Sequence, residues 1–147
     1  MSSKPEKLTA VMIIEVMGRP KEHLIETLED LSLQVNSEKG VTILNKKIKE
    51  PTQIPDKDLF TAFVELEFEI EEPLTLMTLM FKYMPSHVEV IEPENFTFKN
   101  SEFNELFNEI TRRLHRYEEL VRVLQLQLAQ EKKKSEGKKD KKETSEK

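Results

Sequence analysis

Four glutamates at alternate positions, Glu65, Glu67, Glu69 and Glu71, come closest in this chain to a catalytic or cation-binding set. Spacing by two places them on one side of an extended strand, with neighbours about 6.5–7 Å apart. That is too open for two carboxylates to share a proton, and nothing flanking them signals the desolvation that shifts a carboxyl pKa. A solvated sheet face is the expectation. His23, His87 and His115 lie far apart, in neither a His-x-x-x-His nor a His-Glu-x-x-His spacing. His23 and Glu26 share a helix face and could supply two metal ligands, but a wet helix face explains them equally well. His87 follows Pro85-Ser86 and reads as a polar residue at a strand entrance. No serine sits in a Gly-x-Ser-x-Gly elbow.

Arg112, Arg113, His115 and Arg116 form the densest basic group before the C-terminal lysines. Glu105, Glu109 and Glu119 fall among them, with Glu109 to Arg113 in the favourable i,i+4 order, so a salt-laced helix face is expected. Contact of Arg112, Arg113 and Arg116 with an anion or RNA is the alternative. Gly18, Gly40 and Gly137 each stand alone, so no glycine-rich phosphate loop can be built. Zero cysteines exclude disulfides, thiolate zinc sites, iron–sulfur clusters and cysteine nucleophiles. The reading is non-catalytic, with no cofactor and no metal. Met77, Met80 and Met84 read as core filler rather than a binding groove.

The elements that carry these residues follow from periodicity. Leu8 to Met17 is apolar on both sides and predicts a central strand. Gly18-Arg19-Pro20 ends it, and Leu24, Leu28, Leu31 and Val35 make the stripe of a helix reaching about Val35. Val41 to Ile48, rich in lysine and stopped by Pro51, suits a sheet edge. Ala62 to Glu71 alternates apolar and acidic, which demands one buried face and one wet face. Pro73 opens a helix, apolar nearly all round, to about Met84. Val88 to Ile91 is a fourth strand. The long C-terminal helix starts near Asn100 or Ser101, either of which can cap it. Sequential pairing and right-handed crossovers then give an α+β, ferredoxin-like βαββαβ domain over residues 1–99. It has a four-stranded antiparallel sheet with strands one and three in the centre. Residues 1–6 are polar and expected to fray.

The strand–helix order and the Gly18-Arg19-Pro20 turn leading to Leu24 resemble ACT-type regulatory domains. Those are ferredoxin-like modules that bind amino acids at paired interfaces. The Asp and Gly that flank the turn proline in that family are absent here, so no binding residue is carried over. The chain also resembles uncharacterised small archaeal proteins, a likeness that implies no activity.

Phe103, Phe107, Ile110, Leu114, Tyr117, Val121, Leu124 and Leu128 are spaced alternately by four and three. This is the 3.5-residue period of a coiled-coil seam. A helix over 100–131 would be about 48 Å long, against about 35 Å for the diameter of a 100-residue domain. The aromatic half, Phe103 to Tyr117, is expected to pack on its own domain or on a partner copy. Val121, Leu124 and Leu128 should overhang and bind a protein partner, a second copy of the chain first of all. Residues 132–147 read as a disordered tail. It holds eight lysines and four acids, +4, which leaves −9 of the chain's −5 on residues 1–131. An acidic body argues against nucleic acid or membrane as the main partner. The expected function is therefore an interaction or regulatory module that self-associates through the C-terminal helix. The alternative is an RNA-associated protein using Arg112–Arg116 and the lysine tail. With no 18-residue apolar run and no apolar core in Met-Ser-Ser-Lys-Pro-Glu-Lys, a cytoplasmic location is expected.

Overall fold

The computed structural model describes residues 7–146, so the expectation for residues 1–6 lies outside the described residues. The elements follow the order β1 (Leu8–Gly18), α1 (Lys21–Ser37), β2 (Val41–Gln53), β3 (Phe60–Ile70), α2 (Pro73–Tyr83), β4 (His87–Glu92) and α3 (Asn100–Ser145). The chain divides into two compact units, residues 1–97 and 98–147.

The first unit is α+β. Its four strands form one antiparallel sheet in the order β2-β3-β1-β4, with β1 and β3 central as their patterns require. Register explains the two faces. Ala10, Met12 and Ile14 of β1 stand opposite Phe68, Leu66 and Val64 of β3, and all six are buried. Leu24, Leu28 and Val35 of α1 and Leu79 and Tyr83 of α2 complete that cluster, so both helices cover one face of the sheet. Ser32 is the one buried polar residue of the described core. Its hydroxyl donates to the Leu28 carbonyl at 2.7 Å within its own helix, which removes the cost of an unsatisfied group.

Of the boundaries that differ from expectation, three have a clear local reason. β2 does not stop at Pro51 but continues to Gln53. An edge strand needs hydrogen bonds on one side only, and Pro51 falls inside an irregularity of the pairing between Lys49 and Thr52. Glu71 lies just past the end of β3, where its backbone N–H donates to the Gly40 carbonyl. The acidic row on the sheet is therefore Glu65, Glu67 and Glu69. α2 ends at Tyr83, with Met84 in the left-handed region (φ 48°) and its N–H bonded to the Met80 carbonyl.

The second unit is dominated by α3, which runs well past Glu131 to Ser145. The Lys-rich stretch read as a disordered tail is helical as far as Ser145. Lysine and glutamate are good helix formers, and Gly137 is the single residue there with a strong penalty. Neither Asn100 nor Ser101 caps the helix. Lys99 occupies the cap position, and its backbone N–H donates to the Glu102 carboxylate at 3.0 Å. Within this unit Phe107 meets Phe103 edge-on at 4.6 Å between centroids, and Phe103 meets Phe98 at 5.7 Å.

Candidate functional site

The acidic row is built on the sheet face opposite the helices. Glu65 is exposed, and Glu67 and Glu69 are half-buried. Cross-strand register sets Lys47 opposite Glu65 and Asn45 opposite Glu67. Lys7 pairs with Glu69 at 3.2 Å, and Thr61 donates to Glu15 at 3.1 Å on the same face. The Lys49 ammonium lies 5.3 Å from the centre of the Phe63 ring. These carboxylates sit among cations and hydroxyls, an arrangement suited to a solvated surface.

The histidines stay apart. His23 lies 3.9 Å from Glu26 on α1, and His87 lies 3.5 Å from Glu89 on β4, all four exposed. His115 is exposed on α3. Among the described residues, no three histidine, aspartate or glutamate side chains converge as metal ligands would. A shallow cleft of about 420 Å³ lies where β1 turns into α1, lined by Arg19, Pro20, Lys21, Glu22, Asp58 and Phe60. Arg19 and Asp58 join there at 3.0 Å, so its charges largely answer one another.

One polar cluster escaped the sequence reading. Glu38, just past the end of α1, accepts on the same carboxylate oxygen from the Lys82 ammonium and from the Tyr83 hydroxyl, the latter at 2.7 Å. The bond from Lys82, followed by that from Tyr83, holds the Glu38 carboxyl below the usual carboxylate range. Burial first, and then the bond to Glu38, pushes the Tyr83 phenol above the usual tyrosine range. Donor and acceptor lie more than forty residues apart, so no spacing could announce the contact. The available signal was chemical: a tyrosine on an almost wholly apolar helix needs a partner for its hydroxyl. The cluster ties α1 to α2.

The other concentration of unusual features is on α3. Glu109 receives both Arg112 and Arg113, the latter at 2.8 Å, and Glu118 holds Arg122 at 2.8 Å. Arg116 is exposed. Thus two of the three residues considered for anion binding share one carboxylate on their own helix. No residue of α3 is buried. Val121 is 50% exposed, Leu124 54% and Leu128 58%, with Leu114 and Tyr117 preceding them at the same heptad spacing. Successive seam residues three and four apart fall on one helical stripe. Leu120 widens that stripe, and Val123 and Leu126 are exposed as well. Six large apolar side chains within nine residues are thus open to solvent, a larger contiguous apolar surface than scattered exposed residues make.

The chain matches the MJ0538 family over residues 9–146, which is nearly its whole length. It belongs to that family. No curated protein and no solved structure gives a match. The family match spans both units, so the sheet domain and the long helix belong to one family pattern. No helix among the described residues is long and apolar enough to cross a membrane.

Proposed function

We propose that this protein is a non-catalytic interaction or regulatory module that self-associates by pairing α3 as a coiled coil. The observation that carries the reading is the exposed heptad stripe of Val121, Leu124 and Leu128 on a 46-residue helix. The order β2-β3-β1-β4, with both helices over one face, supports a ferredoxin-like plan for the domain. The likeness of its first turn to ACT-type domains adds the expectation that pairing serves regulation. The RNA-associated reading has less support, because Glu109 already holds Arg112 and Arg113.

The test is sedimentation of the full chain beside the Val121→Glu/Leu124→Glu/Leu128→Glu variant. Fully burying such a side chain is worth about 1.5–3 kcal/mol, and these are already half covered, so each contributes about 1 kcal/mol per helix. Six side chains in a pair give about 6 kcal/mol, about a ten-thousandfold change in dissociation constant. The natural chain is expected to dimerise and the variant to sediment as a folded monomer. A natural chain that stays monomeric at concentrations on the order of hundreds of micromolar overturns the reading, given that affinity scale.

A further inference from the structure

The seam of α3 changes chemistry along its length. Continuing its heptad past Leu128 brings Glu131, Ser135, Lys138 and Lys142 to the seam positions, with Lys134 and Lys139 among their flanks. Glu136, Asp140 and Glu143 repeat at i, i+4 and i+7 on the opposite side. The apolar stripe therefore runs into a lysine stripe, and the acids that could balance it face away.

In a parallel, in-register pair every seam residue meets its own copy. Glu131 would face Glu131, Lys138 would face Lys138, Lys142 would face Lys142, and Lys134 would approach Lys139 across the seam. Each of these contacts is repulsive. The other end of the helix offers a better match. Residues 100–110 hold three glutamates and no basic residue, whereas residues 132–145 hold seven lysines and three acids.

Resting on the self-association proposed above, we infer that the two α3 helices pair antiparallel, centred between Val121 and Leu124. That centre sets Val121 against the partner's Leu124 and Tyr117 against the partner's Leu128. It is also the midpoint of Asn100–Ser145, so the helices overlap along their whole length. Phe107 then meets the partner's Lys138 and Phe103 meets the partner's Lys142. Each replaces a lysine–lysine contact by an ammonium on an aromatic ring, an attractive arrangement. Both phenylalanines have the exposure this requires, at 52% and 41%. Arg113 comes near the partner's Lys134, a like-charge approach tempered by Glu109, which is bonded to Arg113. The chain's charge asymmetry fits as well. The lysine-rich end of one copy lies alongside the acidic start of the other helix, whose Glu102, Glu105 and Glu109 sit off the seam and act as a field, whereas parallel pairing sets the lysine-rich ends side by side.

Because the chain has no cysteine, disulfide trapping in the full-length protein reads the orientation directly. Three variants are made: Tyr117→Cys, Leu128→Cys, and the two together. Sedimentation under reducing conditions first establishes that each dimerises, and mild oxidation follows. In the antiparallel pair the double variant cross-links between chains and neither single variant does. Like positions are then about 16 Å apart along the axis, beyond the ~4.4–6.8 Å between Cα atoms that a disulfide spans. Efficient cross-linking of Leu128→Cys alone shows a parallel pair and overturns the inference while leaving self-association intact. Dimers that cross-link in none of the variants overturn the proposed centre. Monomeric natural chain removes both proposals together.

Discussion

Replacing Tyr83 by Phe isolates the contact that ties α2 to the end of α1. The ring stays, so packing in its pocket, where the residue is 9% exposed, is unchanged. What is lost is a 2.7 Å hydrogen bond to a carboxylate. Bonds to charged groups are worth about 1.5–3 kcal/mol. The low end applies here, because Glu38 keeps Lys82 and retains 24% side-chain exposure through which water can replace the phenol. A loss of about 1.5 kcal/mol in a domain of this size lowers the melting temperature by about 6–12 °C. The dependence on pH makes the experiment specific. The lowered pKa of Glu38 means its stabilisation is full above the ordinary carboxylate pKa, about 4.3, and lost as pH falls through the folded value. The raised pKa of Tyr83 means its contribution is full below about pH 10 and lost as pH rises beyond it. Urea unfolding followed by circular dichroism should therefore show a constant penalty for Tyr83→Phe between about pH 6 and 9, shrinking once the pH falls through the lowered pKa of Glu38. A penalty below about 0.5 kcal/mol at pH 7, or one that grows as the pH falls, would refute the reasoning, since a bond to a charged carboxylate is worth more than that and is lost on protonation.

Two further outcomes test the separate units. Phe68→Ala removes the largest fully buried side chain, at the centre of β3, and should destabilise the sheet domain by about 3–5 kcal/mol in the same urea experiment. Gly137→Ala meets no heavy atom within 4 Å of the added Cβ. It should strengthen the lysine-rich end of α3 by about 0.8–1 kcal/mol, read as higher helical ellipticity in the full chain; unchanged ellipticity would count against a helix at that position.

The fold was legible wherever two signals coincided. In β3, Val64, Leu66 and Phe68 alternating with Glu65 and Glu67 specify a strand and its buried face together, and register with β1 follows from the same alternation. The lysines of β2 marked it as an edge strand, and it is one. The methionines of α2 were harder, because composition cannot divide a helix that is apolar on every side. Met77 is buried, but Met80 and Met84 are 42% and 69% exposed. The end of α3, helical to Ser145, is a different case. A low-complexity lysine and glutamate stretch looks the same whether it is solvated coil or solvated helix, since neither buries anything. The Glu38–Tyr83 contact was illegible because it depends on two helix ends meeting across the core, a consequence of tertiary packing. The seam residues were readable as a stripe, but period alone does not say that all of them except the half-buried Ile110 would be left exposed.

The sheet edges bear on the proposed association through α3. A four-stranded open sheet has two edges, and an unprotected edge is the simplest route by which chains pair. Here β2 lines one edge with Lys46, Lys47 and Lys49 and carries two irregularities in its pairing. A second strand added there would have to accommodate the broken register and the lysine ammoniums. The other edge is β4, only six residues long, set between Pro85 and Pro93 and bearing Glu89 and Glu92. Short length and nearby prolines limit how many backbone bonds an added strand could form, and the glutamates of two copies would repel. Both edges are thus blunted, which agrees with placing the proposed pairing on the exposed apolar surface of α3. A variant with the β2 lysines changed to threonine should then gain a second, strand-mediated mode of association. Its growth would continue even with Val121, Leu124 and Leu128 changed to glutamate, and light scattering at rising concentration separates the two modes. If neutralising that edge leaves association wholly dependent on α3, the lysines are not what keeps the sheet from pairing.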